Sequence, residues 1–408
     1  MTENAISLFG IAILIGIAVL FSTNRRAINF RIVASALALQ ALIALIVLRV
    51  PAGQRIIQSL SSGVQAFVDY SGAGIKMVFG PLSDTSTGIV FAINVLPIII
   101  FFSALMAVLY HIGIMPIIVR AVGGGLQRLL GTEKVESLNA AANIFVSQTE
   151  SPLVIKPYLK GLTDAQLFAI VVSGMASVAG SVLAAYAQMG VRIDYLLAAM
   201  FMAAPGGLLM AKIIMPDDPD AEEQALQVIE PNSEDSERGN VILAAANGAA
   251  DGLRLAVNIG AMLIAFVSLI ALFNGIVGGI GGALGFDGLT LEGILGTIFA
   301  PIMFALSIPW SEAQIAGSLF GEKLILNEFV AFFHLGEVVT TLSPRTEMIA
   351  TISLCGFANL SSIAIQLGGL GSLIPEKRQL ISSFGLRAVA AGSLANLMSA
   401  ALAGLLFA

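Results

Sequence analysis

The sequence predicts an all-α integral membrane protein with eight transmembrane helices, two re-entrant hairpins and an inverted internal repeat. Of its 408 residues, 57% are hydrophobic and 11% are charged, whereas soluble domains carry about 25% charged residues. The apolar residues form continuous runs of roughly 20 residues, which suit membrane-spanning helices and not the short alternating strands of a barrel. Two carboxylates, Glu150 and Glu328, lie in short polar segments that interrupt this apolar pattern.

The N-terminal scaffold, residues 1–85, is expected to contain two spans and an interfacial helix. The apolar runs at 5–22 and 32–50 can each cross a bilayer. The first run is not expected to be a cleaved signal, because no basic residue precedes it and arginines follow it. The positive-inside rule places those arginines in the cytoplasm. Residues 51–80 mix apolar and charged side chains, which predicts an interfacial helix.

The first repeat, residues 86–215, is expected to combine three spans with a re-entrant hairpin. The spans are predicted at 89–110, 165–190 and 194–214. Residues 111–135 contain three consecutive glycines and several charges, which predict a bend and a surface helix. The hairpin is predicted at about 137–161, because each arm is too short to span and the polar run between them would lie in the membrane. Irregular backbone is tolerated there only where protein or a water-filled cavity surrounds it.

A polar stretch at 216–240 separates the first repeat from the second. Nine carboxylates cluster in it, which is typical of a solvated loop. The second repeat, residues 241–382, is expected to contain spans at 256–277 and 346–368 and a hairpin at about 311–335. Residues 278–306 are apolar but rich in glycine, so the sequence leaves their structure ambiguous. The C-terminal segment, residues 383–408, is predicted as the last span.

The two halves share an ordered similarity, which predicts an internal duplication. The run A-I-N-V at 92–95 matches A-V-N-I at 256–259, an offset of 164 residues. The offset is 178 between the two glutamates and 182 between Ser177 and Asn359. A slowly growing offset indicates a diverged repeat, although apolar helices also match by chance. Repeats in transporters meet at a site near the middle of the membrane, so we expect one site with a half from each copy.

The tip of the first hairpin carries three consecutive polar side chains. Gln148, Thr149 and Glu150 provide an amide, a hydroxyl and a carboxylate within one turn. Pro152 follows, so a helix can begin there and leave free N–H groups at its start. These groups predict a site for a polar solute. The alternative is a hairpin tip that hydrogen-bonds only to itself.

Asn143 and the segment around Ser177 are candidates for a cation site. The glycines at 174 and 180 predict a broken helix, and an unwound segment frees carbonyl oxygens, which hard cations prefer as ligands. An amide, a hydroxyl and main-chain carbonyls could therefore hold Na⁺. The alternative is structural, because Asn and Ser in membrane helices commonly link helices by hydrogen bonds.

Glu328 is the strongest single candidate, because intramembrane carboxylates are rare and usually face a pathway or a partner. The alternative is a structural ion pair with Lys323 or Arg345. Asn359 and Ser362 are three residues apart and so lie on one face of a helix, close to a phenylalanine that could stack on a ligand. Core packing alone is the other interpretation of this group.

Other functions have little support in the sequence. His111 and His334 have no Cys, His or Asp at metal-ligand spacing. The glycine run lacks the Lys-Ser/Thr of a phosphate loop, and no hydrolase or metalloprotease motif occurs. Cys355 is the single cysteine, so no internal disulfide can form. We therefore expect neither an enzyme nor a nucleic-acid-binding protein.

The polar motifs resemble those of the concentrative nucleoside transporter family. The resemblance rests on N-A-A-A-N-I-F-V-S-Q-T-E-S-P at 139–152, N-E-F-V at 327–330, C-G-F-A-N-L-S-S-I-A at 355–364 and A-A-P-G-G at 203–207. These motifs occur in order along nearly the whole chain. The resemblance implies eight spans, two re-entrant hairpins, an inverted repeat, a homotrimer and Na⁺-driven nucleoside uptake.

The resemblance also implies roles for individual residues. Four would contact the nucleobase: Gln148, Thr149, Glu150 and Val182. Three would bind the ribose hydroxyls, with a phenylalanine beside them: Glu328, Asn359, Ser362 and Phe357. Four would bind Na⁺: Asn143, Val146, Ser177 and Val178. Ser147 stands where many members have glycine, and its hydroxyl suggests a preference for pyrimidine nucleosides.

The resulting hypothesis is Na⁺-coupled import of nucleosides such as uridine and cytidine by alternating access, in a multi-pass protein of the bacterial inner membrane. Na⁺ is the coupling ion, and no other cofactor is expected. One alternative is coupling to protons through Glu328 or Glu150. Another is a passive channel, which the interrupted hairpins disfavour because they would block a continuous pore. The expected partners are the nucleoside, Na⁺, the lipid bilayer and further copies of the chain in a homotrimer.

Overall fold

The computed structural model describes residues 3–84, 86, 90–218, 240–283, 285 and 288–407, and most of them are α-helical. The helices of the first half are α1 Glu3–Leu20, α2 Phe30–Leu48, α3 Pro51–Phe79, α4 Phe91–Asn94, α5 Leu96–His111, α6 Ile114–Leu130, α7 Lys134–Ala142, α8 Asp164–Ala176, α9 Gly180–Gln188 and α10 Ile193–Ile214. Those of the second half are α11 Val241–Ala283, α12 Leu291–Ala305, α13 Trp310–Ile325, α14 Glu328–Val338, α15 Pro344–Leu354, α16 Leu360–Gly368, α17 Leu370–Leu373 and α18 Arg378–Leu406. The predicted all-α fold class is therefore confirmed for the described residues.

Several helices are long and apolar enough to cross a membrane. Among the described residues there are six such stretches: Phe30–Leu48, Phe91–His111, Asp164–Gln188, Ile193–Ile214, Val241–Ala283 and Pro375–Leu406. A seventh results if α12 and α13, which are bent by 118° relative to each other, form one span. The predicted span at 346–368 is divided between α15 and α16, and α1 is shorter than the six. The number of eight spans therefore stays a prediction.

Some boundaries differ from those expected. The span predicted at 256–277 belongs to the 43-residue helix α11, which begins earlier because 241–255 also forms exposed helix. The bend expected near the glycines at 123–125 lies instead at Gly113, where φ is 86°, and the three glycines continue α6. Most of the acidic stretch at 216–240 lies outside the described residues.

An inner group of helices is surrounded by an outer one. The helices α8, α9, α10 and most of α18 are almost fully buried, whereas most residues of α2, α5 and α11 are only partly buried or exposed. The small residues of α11 allow it to pack closely on α5, since a Cβ at Gly248 would meet Ser103 O at 2.7 Å and one at Gly252 would meet Ile100 Cα at 2.7 Å. The helix that carries the second matching run thus packs against the helix that follows the first run.

Four interruptions of helices meet inside the inner group. The first pair is the tip between α7 and the 3₁₀ segment Ser151–Gly161, and the break between α8 and α9. The second pair is the turn between α13 and α14, and the break between α15 and α16. Asparagines cap the helices that follow the second pair: Asn327 accepts from Val330 N at 3.0 Å, and Asn359 accepts from Ser362 N at 2.9 Å. Phe357 N donates to Ser177 O at 3.1 Å, so the two breaks lie side by side.

Candidate functional site

A buried series of hydrogen bonds joins the first hairpin to the second broken helix. Gln148 Nε2 donates to Ser362 Oγ at 3.2 Å, and Gln366 Nε2 donates to Gln148 Oε1 at 3.1 Å. All three side chains are buried. The structure thus brings together residues 214 positions apart and builds one polar cluster from both halves of the chain.

Glu328 lies at the other end of this cluster, where its carboxylate accepts two hydrogen bonds. Tyr186 Oη donates to Oε1 at 3.1 Å, and Asn359 Nδ2 donates to Oε2 at 3.0 Å. The side chain is 4% exposed. Asn359 is itself held in place, because its Oδ1 accepts from Ser361 Oγ at 2.7 Å and from the main chain of Ser362. Phe357, half-buried, lies two residues before it.

The two cations considered as partners of Glu328 have other contacts. Lys323 Nζ donates to Ser353 O at 2.8 Å and to Asn396 Oδ1 at 2.7 Å. Arg345 donates to Ser307 Oγ at 2.7 Å and to Gly404 O at 3.2 Å. The carboxylate of Glu328 therefore depends on neutral donors, which leaves it able to accept further hydrogen bonds from a ligand.

The candidate cation ligands lie where the first hairpin touches the first break. Asn143 is 1% exposed, and its Nδ2 donates to Ser173 Oγ at 3.3 Å. Its Oδ1 is buried and has no hydrogen-bond partner among the described residues. Gly180 N donates to Phe145 O at 3.2 Å, which fixes the tip of the hairpin against the break.

The other candidate cation ligands are buried at the same contact. Ser177 and Val178 form the break itself and are 2% and 0% exposed, and Val146 is 7% exposed. Ser177 Oγ donates to Gly174 O at 3.4 Å, so its own lone pairs stay available. Within the part of the chain that the structure describes, no main-chain N–H donates to the carbonyls of Val146 or Val178. A buried oxygen without a donor is costly, and a hard cation with oxygen ligands would satisfy these groups.

The remaining polar residues of the hairpin tip contact one another, and Glu150 also lines a cavity. Ser147 Oγ and Thr149 Oγ1 share a hydrogen bond of 3.0 Å, and Glu150 Oε2 accepts from Ser147 N at 3.0 Å. Glu150 is exposed and lines a cavity of about 1040 Å³, together with Val146 and side chains of α5 and α11. Glu150 and Glu328 thus differ in environment, one in a cavity wall and the other in the protein interior. Val182 is 1% exposed, on the first turn of α9.

Three buried polar residues of this region were missed by sequence reasoning. Gln366 follows Ser362 by four residues and so shares its helix face, a signal that could have identified it. Tyr186 carries no such signal; its ring packs 4.4 Å from that of Phe332, and only the folded chain places its hydroxyl on Glu328. The third, Asn396, is a buried polar residue in an apolar sequence, whereas Lys323 was considered only as a partner of Glu328.

Three protein-family models match the chain, and together they cover most of residues 9–404. The model for the Na⁺ dependent nucleoside transporter N-terminus matches residues 9–82, and that for its C-terminus matches residues 195–404. A third model, described as nucleoside recognition, matches residues 92–192. The three matches follow one another along the chain.

Similar proteins extend over the same length. The chain is 50% identical to the nucleoside permease NupC of Helicobacter pylori, an alignment that covers 99% of this chain and 98% of that protein. The structure of CNTnw in an inward-facing substrate-bound state has a TM-score of 0.94 and 49% identity, covering 99% of this chain and 97% of CNTnw. A double variant of CNTnw in an outward-facing state has a TM-score of 0.95 and 47% identity over the same shares.

Proposed function

The chain belongs to the concentrative nucleoside transporter family, and from this membership we propose that it imports nucleosides together with Na⁺, with a preference for pyrimidine nucleosides such as uridine and cytidine. Its family consists of membrane transporters and not of enzymes. The observation that carries the proposal is the buried series of hydrogen bonds from Gln148 through Ser362 and Asn359 to Glu328.

Glu328, Asn359 and Ser362 are proposed to bind the ribose. An ionised carboxylate has about four lone-pair positions, and Glu328 uses two of them for Tyr186 and Asn359. The others can accept from ribose hydroxyls, and such charge-assisted hydrogen bonds are roughly twice as strong as neutral ones. Phe357, half-buried beside Asn359, provides an apolar surface for the sugar.

Gln148, Thr149, Glu150 and Val182 are proposed to contact the base. The amide of Gln148 is a donor and an acceptor at once, and it now pairs with Ser362 and Gln366. Uracil offers a carbonyl next to an N–H, so the amide can exchange these partners for the base. The hydroxyl of Ser147 lies against Thr149 and takes up space that a glycine would leave for the larger purine. This supports the proposed pyrimidine preference.

Asn143, Val146, Ser177 and Val178 are proposed to bind the coupling Na⁺. The support is the buried Asn143 Oδ1, which lacks a donor among the described residues, and the carbonyls of Val146 and Val178, to which no main-chain N–H of the described residues donates. Ser177 O accepts from Phe357 N, so an ion held at the first break also orders the second break, where the ribose would bind. A ligand shifts a conformational equilibrium only through unequal affinity for the two states. We therefore propose that Na⁺ favours the state in which both breaks are ordered.

Uptake by purified protein in liposomes tests this function. Labelled uridine should accumulate above its equilibrium level when an inward Na⁺ gradient is imposed, and should only equilibrate when Na⁺ is equal on both sides. Accumulation driven by a pH gradient without Na⁺ would support proton coupling through Glu328 or Glu150 instead. Equilibration without accumulation under either gradient would indicate a passive channel and contradict the proposal.

The same membership supports a proposal for the arrangement in the membrane. Eight spans and two re-entrant hairpins, at about 137–161 and 311–335, would divide into the scaffold 1–85, the repeats 86–215 and 241–382 and the last span in 383–408. The sharp bend between α12 and α13 supports a re-entrant segment in the second repeat. A homotrimer in a bacterial inner membrane is part of the proposal. Cross-linking in membrane vesicles should yield a species of three chains, and a limit at two chains would contradict it.

A further inference from the structure

A lysine ammonium is buried in the second half, outside the proposed ligand set. Lys323 on α13 is 0% exposed. Its Nζ donates to Ser353 O at 2.8 Å and to Asn396 Oδ1 at 2.7 Å, and it lies 5.7 Å from the centre of the Phe320 ring. A buried charge is costly unless its surroundings compensate it. Two oxygens and an aromatic face form such surroundings.

Asn396 connects this ammonium to both broken helices. Its Nδ2 donates to Ala176 O at 2.6 Å, at the end of α8, and to Cys355 O at 3.0 Å, at the end of α15. Gly356 is pressed against it, since a Cβ at that position would overlap the Asn396 amide. The ammonium, Asn396 and the carbonyls at the two breaks therefore form one buried assembly.

The position of this ammonium corresponds to that of the proposed Na⁺ in the first half. There, the ion would lie between Asn143 of the first hairpin and the break at 177–179. Lys323 belongs to the second hairpin and contacts Ser353, two residues before the second break begins. The offset of 178 residues that relates the two glutamates places Lys323 opposite Phe145, two residues from Asn143. In each half, a positive charge would thus lie between a hairpin and a break.

We propose that Lys323 is a built-in cation of the second half, in the place that corresponds to the one Na⁺ occupies reversibly in the first. It compensates the Ser353 carbonyl near the end of α15 directly and the Cys355 carbonyl through Asn396, and it holds the second break where Asn359 contacts Glu328. Lys323 is a positioning residue, because it acts on the nucleoside through Ser353, Asn396 and the break. The inference rests on the proposed function, since it needs a nucleoside bound at Glu328 and Asn359.

Chemical rescue tests this role in the purified full-length protein. Calorimetry with uridine at saturating Na⁺ should show binding at least tenfold weaker for Lys323→Ala. Propylammonium chloride matches the atoms that alanine removes, and it should restore most of the lost affinity. The neutral analogue 1-propanol fills the same space without a charge and should restore none. Lys323→Met keeps the volume without the charge, so it should bind weakly and respond to neither compound. The exposed Lys76→Ala is the control and should bind like the unmodified protein.

The outcomes separate this inference from the proposed function. Absence of Na⁺-dependent uridine binding by the unmodified protein would overturn the proposed function. If that protein binds uridine and Lys323→Met binds it within twofold as tightly, the inference alone fails. Rescue of folded Lys323→Ala by propanol as well as by propylammonium would also overturn it, because space and not charge would then be the cause. If Lys323→Ala does not fold, Lys323→Met decides.

Discussion

Replacing Glu328 with glutamine removes the proposed ribose acceptor with little change in shape. The carboxylate is 4% exposed and accepts from Tyr186 at 3.1 Å and from Asn359 at 3.0 Å. Glutamine keeps one acceptor oxygen but turns an NH₂ group toward the second donor. The charge that would strengthen hydrogen bonds from ribose is lost as well.

The expected magnitude follows from the hydrogen bonds that a carboxylate can make. A hydrogen bond to a charged group contributes roughly 1.5–3 kcal/mol. If one such bond to a ribose hydroxyl is lost in Glu328→Gln, uridine should bind roughly 10- to 150-fold more weakly. The unfolding temperature should change little, because the Tyr186 hydroxyl can rotate and accept from the new NH₂ group while Asn359 still donates to the remaining oxygen.

Calorimetry with two ligands makes this measurement specific to the ribose. At saturating Na⁺, the unmodified protein should bind 3′-deoxyuridine more weakly than uridine. In Glu328→Gln the two ligands should differ by less than about twofold, because contacting groups are not additive. The exposed Glu376→Gln should behave like the unmodified protein with both ligands. Unchanged uridine binding by Glu328→Gln would refute the ribose assignment. So would losses of binding free energy from Glu328→Gln and from removal of the 3′-hydroxyl that add in full when the two changes are combined.

Three further substitutions test the ion site, the second contact of the carboxylate and the packing of the second break. Asn143→Ala should raise the Na⁺ concentration for half-maximal uridine binding by roughly tenfold, because it removes a charged contact; an unchanged Na⁺ titration would contradict the ion site. Tyr186→Phe should weaken uridine binding by roughly 2- to 10-fold, the value of a single hydrogen bond, and calorimetry that shows no loss would argue against its role. Gly356→Ala should lower the unfolding temperature, because its Cβ would overlap Asn396, whereas Gly124→Ala, with open space around it, should leave it unchanged or raise it. If thermal scans show a lower unfolding temperature for Gly124→Ala than for Gly356→Ala, the close packing of Gly356 on Asn396 is contradicted.

The local sequence was sufficient to predict most helices, but not where all of them begin and end. Apolar length predicted α10 and α18 because nearly every residue of these helices is buried or membrane-facing. The same criterion missed the first part of α11, where Asp251 and Arg254 are exposed and interrupt the apolar run. The glycines at 123–125 predicted a bend wrongly, because helical packing tolerates them and the turn was made at Gly113.

In the candidate site, too, some residues could be identified from the sequence and others only from the structure. Glu328, Asn359 and Gln148 were identifiable because polar side chains are costly inside a membrane and therefore stand out in an apolar chain. Tyr186 did not stand out, since tyrosine is common in apolar helices. Lys323 was considered only as a partner of Glu328, and its contacts with Ser353 and Asn396, 30 and 73 residues away, were not predictable.

By itself, the sequence determined that the chain is a helical membrane protein, that two short polar segments interrupt its apolar pattern, and to which family it is similar. These are consequences of hydrophobicity and short motifs, which are local properties of the chain. Only the tertiary structure decided which polar groups meet: Gln148 with Ser362, Tyr186 with Glu328, and one asparagine, Asn396, with both breaks. The physical reason is that helices distant in sequence must pack before their interruptions can face one another, and no local pattern records that packing.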